Sequence, residues 1–465
     1  MSPAATRFSL FKNALTIFGA ALTTTGAILF LAFFLLELAG MHTNPYLGML
    51  FLLVCPGLFV AGLIIMPLGI WLAHRRDAAG VLAWRPTWPK IDLNDIVQRR
   101  ATAIFLASTL ANVLLVSVAA YSGIEYMDSP QFCGQLCHEV MEPEFAGFQD
   151  GPHSRVVCVQ CHIGPGANWF VKSKLSGLRQ VYAVTFNTHS RPIPSPVHDL
   201  RPARDTCEQC HWPEKFHGDK IRVVRTYADD EPNTETATTL RMHIGGINRL
   251  DKSATGIHWH VSALNQIEYI ATDEKRQVIP WVRLDDGKGN VSEFRTDGFT
   301  DAQVAQARAA GQVRQLDCID CHNRPSHTFA FSAERAVDEA ITAGGFDVKL
   351  PFVRREVVKV LKASYATKDA AMAGIKSGLE QYYKATHPGT AAELVTRAVA
   401  TAQHLYERNV FPTMKVGWGS YANNVGHSDP GPSPFPGCYR CHDENHKSRQ
   451  GKVISQDCSL CHTIE

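Results

Sequence analysis

The chain has 465 residues, 45% of them hydrophobic, and a formal net charge of +2. That near-balance says little about partners, and nothing in it points to nucleic acid. The 13 cysteines discriminate better: 12 of them fall into six motifs in which a histidine directly follows the second cysteine, a placement that neither a disulfide framework nor zinc sites require.

In chain order, three apolar spans come first, at 14–39, 46–73 and 101–121. Each is long enough to cross about 30 Å of hydrocarbon as a helix. Pro56 and Pro67 fall within the second and suggest a kink that a membrane helix tolerates. The first span is too long, and too soon followed by another, for a cleaved signal peptide, and reads as an uncleaved signal-anchor. Arg7 and Lys12 precede it, the loop 40–45 has no basic residue, and the next loop carries Arg75, Arg76, Arg85, Lys90, Arg99 and Arg100. Positive charge stays inside, so the amino terminus is expected in the cytoplasm and everything after Tyr121 outside, in a bacterium the periplasm. Glu37, near the outer end of the first span, is either a functional acid facing the bundle or an interfacial carboxylate solvated by headgroup water.

The motifs follow: Cys133/Cys137-His138, Cys158/Cys161-His162, Cys207/Cys210-His211, Cys318/Cys321-His322, Cys438/Cys441-His442 and Cys458/Cys461-His462. This is the pattern of covalent haem c attachment, in which two thiols bond the vinyl groups and the histidine becomes the proximal iron ligand. The first motif has one extra residue. If it carried no haem, two thiols would sit unpaired in an oxidising compartment. Cys55, the thirteenth, lies in an apolar run and reads as a small buried hydrophobe. The expected fold is a mainly α multihaem cytochrome with three N-terminal transmembrane helices and a β-rich insert, carrying six covalently bound haem c groups.

Four segments are expected: an anchor, 1–121; a trihaem segment, 122–220; a haem-free β-rich insert, 221–316; and a C-terminal trihaem segment with a helical middle, 317–465. In the insert, 278–284 and 291–294 flank Asp285-Asp286-Gly287-Lys288-Gly289-Asn290 and read as a hairpin. Residues 257–261 alternate like a strand, which would place His258 and His260 on one face. Thr300 can cap a short helix, 301–310. Apolar spacing gives helices at 355–365, 368–384 and 390–408.

An electron-transfer haem needs a second axial ligand, usually His or Met. By proximity to the motifs the candidates are His153, His217, His327, His427 and His446, with His189, His198, His243, His258 and His260 in reserve. Met141, three residues after His138, is either a ligand of the first iron or a buried methionine beside the porphyrin.

Cys-His-Glu-Val-Met at 137–141, Cys-Val-Gln-Cys-His-Ile-Gly-Pro-Gly at 158–166 and the run from Lys172 to Tyr182, all after a membrane anchor, resemble the NapC/NirT family. The likeness covers about 121–217, and the whole plan is similar to the larger inner-membrane multihaem cytochromes of metal-reducing bacteria. The resemblance implies a quinol dehydrogenase of the inner membrane, with quinol as substrate and a periplasmic cytochrome or reductase as partner. It places Lys172 or Lys174 at the quinol oxygen, with Glu37, Glu139 or His42 as the base. The chain departs from the family in its three spans, its stretched first motif, and Gln180 where the family often has an acid. Rival readings are a terminal reductase of nitrite or hydroxylamine, which needs an iron with an open position, and an electron-transfer wire without its own quinone site.

Overall fold

The computed structural model describes residues 13–38, 54–78, 92–136, 138–164, 167–197, 201–212, 215–216, 218–248, 250, 253–262, 264–428 and 434–465. The chain forms two compact units, 1–128 and 129–465.

The first unit is helical. Helix α1 spans Ala14–Leu38, α2 Cys55–Ala78 and α3 Ile96–Met127. Among the described residues two windows are long and apolar enough to cross a membrane, Ala14–Ala32 in α1 and Cys55–Ala73 in α2. The structure thus supports two of the three expected spans as membrane helices. The third expected span lies inside α3, whose first turn is capped by Asp95 accepting from the Val97 amide at 2.9 Å. Of the second expected span, residues 46–53 lie outside the described residues; Pro67 sits within the helix that remains.

Helices α1 and α2 pack backbone to backbone. Gly19 on α1 meets Gly62 on α2, Gly26 meets Cys55 and Phe59, and Gly69 meets Thr16 and Asn13. A Cβ on Gly62 would collide with the backbone of Gly19 and Thr23; one on Gly26 would meet the Cys55 carbonyl. Small residues at such an interface allow the close approach that replaces the missing hydrophobic driving force in lipid. Asn13 Nδ2 donates to the Gly69 carbonyl at 3.2 Å, tying the start of α1 to α2. Cys55 is buried here, as its surroundings in the sequence suggest.

The second unit opens with α4, His138–Gln149, and α5, Ala167–Thr185. Strands β1 (Lys220–Tyr227) and β2 (Glu235–Met242) pair antiparallel, β10 (His462–Ile464) joins β2, and the short β3 (Gly246–Ile247) pairs with β4 (Ala254–Thr255). A second sheet has the order β8-β5-β6-β7-β9. Its strands are β5 (Gln266–Ile270), β6 (Trp281–Asp285), β7 (Val291–Arg295), β8 (Arg314–Gln315) and β9 (Lys447–Ser448). The expected hairpin is β6–β7, its loop held by Asp286 Oδ1 accepting from the Lys288 amide at 2.8 Å and the Asn290 amide at 3.1 Å. Both sheets take an edge strand from the last 19 residues of the chain, so the strands of 220–315 and the C-terminus close on each other. Helix α6, Asp301–Ala309, carries the expected Thr300 cap with a full capping box to Gln303.

One expectation fails. Residues Ile257–Val261 form a 3₁₀ turn rather than a strand. Gly256, at φ 66°, turns the chain into it, and His260 Nδ1 bonds back to the Ile257 carbonyl at 2.7 Å. With about three residues per turn, His258 and His260 point to different sides.

The C-terminal helices are α7 (Ala333–Thr342), α8 (Val353–Leu361), α9 (Lys368–Thr386) and α10 (Ala392–Asn409). Sequence spacing found the last three and missed α7. They close on an ordinary core in which Val337, Leu350, Val353, Val357, Ile375, Leu379 and Ala402 are fully buried. The stretch around the second and third motifs is different. Among described residues from 153 to 226, Ala203 is the only buried apolar residue.

Gly62→Leu should force α1 and α2 apart and cost the anchor about 1–3 kcal/mol. Thermal unfolding of the detergent-solubilised protein checks this; an unchanged transition with an unchanged haem spectrum would mean that the glycine contact carries no stability.

Candidate haem sites

Each motif is one turn of backbone. The His322 amide donates to the Cys318 carbonyl at 2.8 Å, His211 to Cys207 at 2.7 Å and His442 to Cys438 at 3.1 Å. That closure puts the histidine directly past a turn carrying the thiols. The stretched first motif has a different local solution: Phe132–Leu136 is a π-helical turn. A π turn accommodates one residue more than an α turn, which matches the extra residue between the two cysteines of this motif in the sequence; Cys137 itself lies outside the described residues. The Phe145 ring of α4 packs over Gly134 and leaves no room for a side chain there.

The sequence treats the motif thiols alike, but the structure separates them. Cys210, Cys438 and Cys458 are exposed, while the other motif thiols among the described residues are half-buried. Cys210 is the clearest departure. The short helix Ala203–Cys207 ends three residues before it, and the Cys210 amide donates to the Cys207 carbonyl at 3.1 Å in the turn beyond. Its neighbours Gln209 and His211 are exposed as well. In the fourth motif both cysteines fall within one helical turn, Cys318–Cys321, and both are half-buried.

No described cysteine forms a disulfide, and no three metal-binding side chains converge on one point among the described residues. Instead the motifs follow one another in space in sequence order. The Cys133 thiol lies close to Cys158, Cys161 lies within electrostatic reach of Cys207, and Cys318 lies close to Cys207. Cys438 lies in reach of Cys321, and Cys461 of Cys438. Burial pushes the thiols of Cys321 and Cys441 up to about 11 and about 12, a mark of apolar clefts.

Histidines face one another across gaps. Ring centres lie 5.9 Å apart for His153 and His211, and 6.1 Å for His327 and His162. The other pairs are His258 and His322 at 6.5 Å, His260 and His442 at 5.8 Å, and His427 and His462 at 6.2 Å. Two imidazoles on one metal, with bonds of about 2 Å and ~1 Å from nitrogen to ring centre, stand ~6 Å apart. The spacing therefore fits a porphyrin iron between each pair. The tautomers fit as well. Nδ1 of His153 bonds the Pro325 carbonyl at 3.0 Å, that of His258 the Ile244 carbonyl at 3.0 Å, and that of His327 the Glu144 carbonyl at 2.8 Å. His442 does the same with Ser455 at 2.8 Å. A backbone carbonyl holding Nδ1–H leaves the Nε2 lone pair for a metal. Burial holds His162, His258, His260 and His322 below the usual imidazole range, and hence neutral, as ligation requires.

Three of these five partners, His153, His327 and His427, are among the candidates nominated by proximity, but each faces a motif other than the one it lies beside. His446 is not among the five partners. It is buried with Nδ1 on Asp443 at 2.7 Å and Nε2 on the Ile279 carbonyl at 2.6 Å, so both nitrogens are engaged in fixing β9 to the sheet. His258 and His260, held in reserve, stand opposite the fourth and fifth motif histidines. Their link to Cys318 and Cys438 spans a long stretch of chain and leaves no local spacing signal. His243 instead pairs with Asp219 at 3.0 Å. His42, Cys137, His198 and His217 lie outside the described residues, as do the side chains of Glu37 and His138. Met141 is half-buried on α4, one turn beyond His138.

Two charged networks brace the sites. Asp320, inside the fourth motif and 2% exposed, accepts from the Tyr269 hydroxyl at 2.7 Å, Arg314 Nε at 3.2 Å, Arg276 Nη1 at 3.3 Å and its own capping amide, Asp317, at 2.8 Å. Its carbonyl accepts from Arg440 of the fifth motif at 2.7 Å. Glu144 of α4 accepts from Arg324 at 2.7 Å and stands 3.3 Å from the His327 ring. Helix α5 carries Lys172 and Lys174. The Lys172 ammonium lies 4.7 Å above the Trp169 ring, and Val171, Leu175, Leu178 and Tyr182 line an exposed apolar face of the same helix.

One-turn cysteine motifs with facing imidazoles, on a chain with membrane-length helices, define a membrane-anchored multihaem c-type cytochrome that transfers electrons. Residues 96–192 match the N-terminal region of the NapC/NirT cytochrome c family. Over 457 residues, 97% of this chain and 88% of the relative, it is 42% identical to the cytochrome c-type protein ImcH of Geobacter sulfurreducens. The chain belongs to the NapC/NirT cytochrome c family. No solved structure matches it.

Asp320→Asn removes the only charge facing Arg276 and Arg314 in this network. It should cost about 2–3 kcal/mol, less than a fully buried pair because Arg314 keeps part of its surface in water. Denaturant unfolding monitored at the haem band checks this. His260→Leu should leave one haem high-spin at pH 7; a fully low-spin spectrum would remove His260 from the ligand set.

Proposed function

We propose that this chain is a hexahaem quinol dehydrogenase. In this reading α1, α2 and α3 all cross the inner membrane with the amino terminus in the cytoplasm, and unit 129–465 lies in the periplasm. Haem c, once attached, carries single electrons between ferric and ferrous iron. The observation that carries the wire is the set of five imidazole pairs, strung in sequence order from the second motif to the sixth. A facing imidazole at each of these motifs also speaks against a reductase with an open iron there. The π turn at Phe132–Leu136 supports a sixth haem on Cys133 and Cys137.

Helix α5 supports the quinol site. Its exposed apolar face suits the tail and ring of a lipid-borne quinol, and Lys172 and Lys174 lie along the same helix within the family-matched region. Oxidation of one quinol gives a quinone, two protons and two electrons. A neutral quinol is a poor one-electron donor, so a base must take the protons. The lysines hold the quinol oxygen in this scheme. Exposed Glu139 at the start of α4 is the candidate acceptor on the haem unit, with Glu37 and His42 the candidates on the anchor. Electrons leave near the sixth motif for a periplasmic cytochrome or reductase.

Replacing Lys172 and Lys174 together with alanine should slow reduction by a quinol analogue on the order of tenfold or more, ~1.4 kcal/mol of barrier. Reduction by dithionite should not change. Equal slowing of both would make the lysines structural, and an intact protein that quinol never reduces would leave only a wire fed by another subunit.

A further inference from the structure

A surface helix of a globular domain turns its apolar side inward. Helix α5 does the reverse. Val171, Leu175, Leu178 and Tyr182 recur at the helical period and fall on one face, which Phe186, one residue past the helix end, continues. All five are exposed, Leu175 at 65% and Leu178 at 69%. The inward side is the opposite one. There Val184 packs against the cluster of Val140 and Phe411, and Ser173 is half-buried.

A contiguous apolar strip of this size calls for an occupant. Three observations say which. The first is charge. Lys172 and Arg179 border the strip on one side and Lys174 on the other, and the 19 residues of the helix include no Asp or Glu. Cations along both edges of an apolar face match a lipid bilayer, whose anionic phosphates lie just outside its apolar interior. The second is the placing of the aromatic rings. Trp169, beneath the Lys172 ammonium, stands at the start of the helix, and the Tyr182 and Phe186 rings lie 4.7 Å apart at its end. Trp and Tyr are favoured at the depth of lipid headgroups. The third is tethering. The apolar helices α1 and α2 anchor this chain in a membrane, so lipid is present at a high effective concentration that a soluble partner lacks.

We propose that α5 is an interfacial membrane helix. It lies along the surface of the membrane that anchors the chain, with its apolar strip among the lipid tails and its cationic edges at the headgroup phosphates. A helix of this kind sinks about 5–10 Å into the boundary between headgroups and tails. The haem-bearing unit is then seated on lipid through a surface of its own, besides being tethered to it. The inference stands without the quinol reading. Where that reading holds, quinol meets Lys172 and Lys174 without leaving the bilayer.

The test uses the full-length, haem-loaded protein in quinone-free vesicles of phosphatidylethanolamine and phosphatidylglycerol. Benzoylphenylalanine, which cross-links to its neighbours under light, is placed at position 178 or, as the control, at position 176. Ser176 is exposed on the same helix but off the strip. Mass spectrometry should find phospholipid adducts at 178 and none above background at 176. Val171→Glu together with Leu175→Glu should lower the adduct at 178 severalfold and leave the haem spectrum unchanged, since both side chains are exposed. Adducts at 178 confined to this chain, to its haems or to a second copy would overturn the proposal, as would equal lipid labelling at the two positions. Reduction by a quinol analogue is followed separately. Its absence with the lipid adducts intact would remove the quinol site and keep the interfacial helix.

Discussion

The spacing between two imidazole rings governs the external part of this molecule. A gap near 6 Å recurs at five sites. Each gap joins segments that no continuous element links. His162 of the second motif meets His327, past the fourth, and His442 meets His260, inside the β-rich stretch. Ligation in such a protein is therefore tertiary structure. Each iron ties two distant stretches of chain as a cross-link would, and its binding free energy adds to folding because a preformed site is absent from the unfolded chain.

This explains how apolar burial is distributed. The α7–α10 bundle has a dense core of aliphatic side chains and stands as ordinary helical packing. Around the second and third motifs, protein-on-protein burial nearly vanishes, and the exposed Cys210 thiol belongs to that stretch. A chain this poor in buried apolar area cannot meet the entropy of ordering its backbone by side-chain packing alone. Porphyrin faces supply the missing surface.

Much of the chemistry was legible in the sequence, because haem attachment is encoded in a contiguous five-residue pattern. So were the hairpin at Asp286, the Thr300 cap and three of the four C-terminal helices, all set by local periodicity or turn chemistry. Proximity to a motif singled out His153 and His327, but not the motif each one faces: His153 stands opposite His211 and His327 opposite His162. His446 shows the failure of that logic: four residues from His442, it is turned by Asp443 into the sheet. His258 and His260 show the converse. Five alternating residues look like a strand, but Gly256 and a side-chain bond to Ile257 wind them into a 3₁₀ turn. That turn sends the two imidazoles to two different motifs, which a strand with both on one face could not do.

The electrostatic bracing follows from the same constraint. A porphyrin between two imidazoles excludes water, so any charge beside it must be paired. Asp320 is set between the two thiols of the fourth motif and is met by two arginines and a tyrosine, while its carbonyl holds Arg440 of the fifth. Burial and the Asp320 carboxylate together keep the Tyr269 phenol protonated, so it acts only as a donor. At the second motif, Glu144 is matched by Arg324, whose guanidinium in turn lies 3.9 Å above the Tyr421 ring. In both places a carboxylate lies next to a site of changing iron charge. Its paired arginine fixes it in place, so the field it applies to the iron does not relax during electron transfer. A pre-set field of this kind lets the protein tune the potential of each iron by position while keeping the rearrangement that accompanies each hop small.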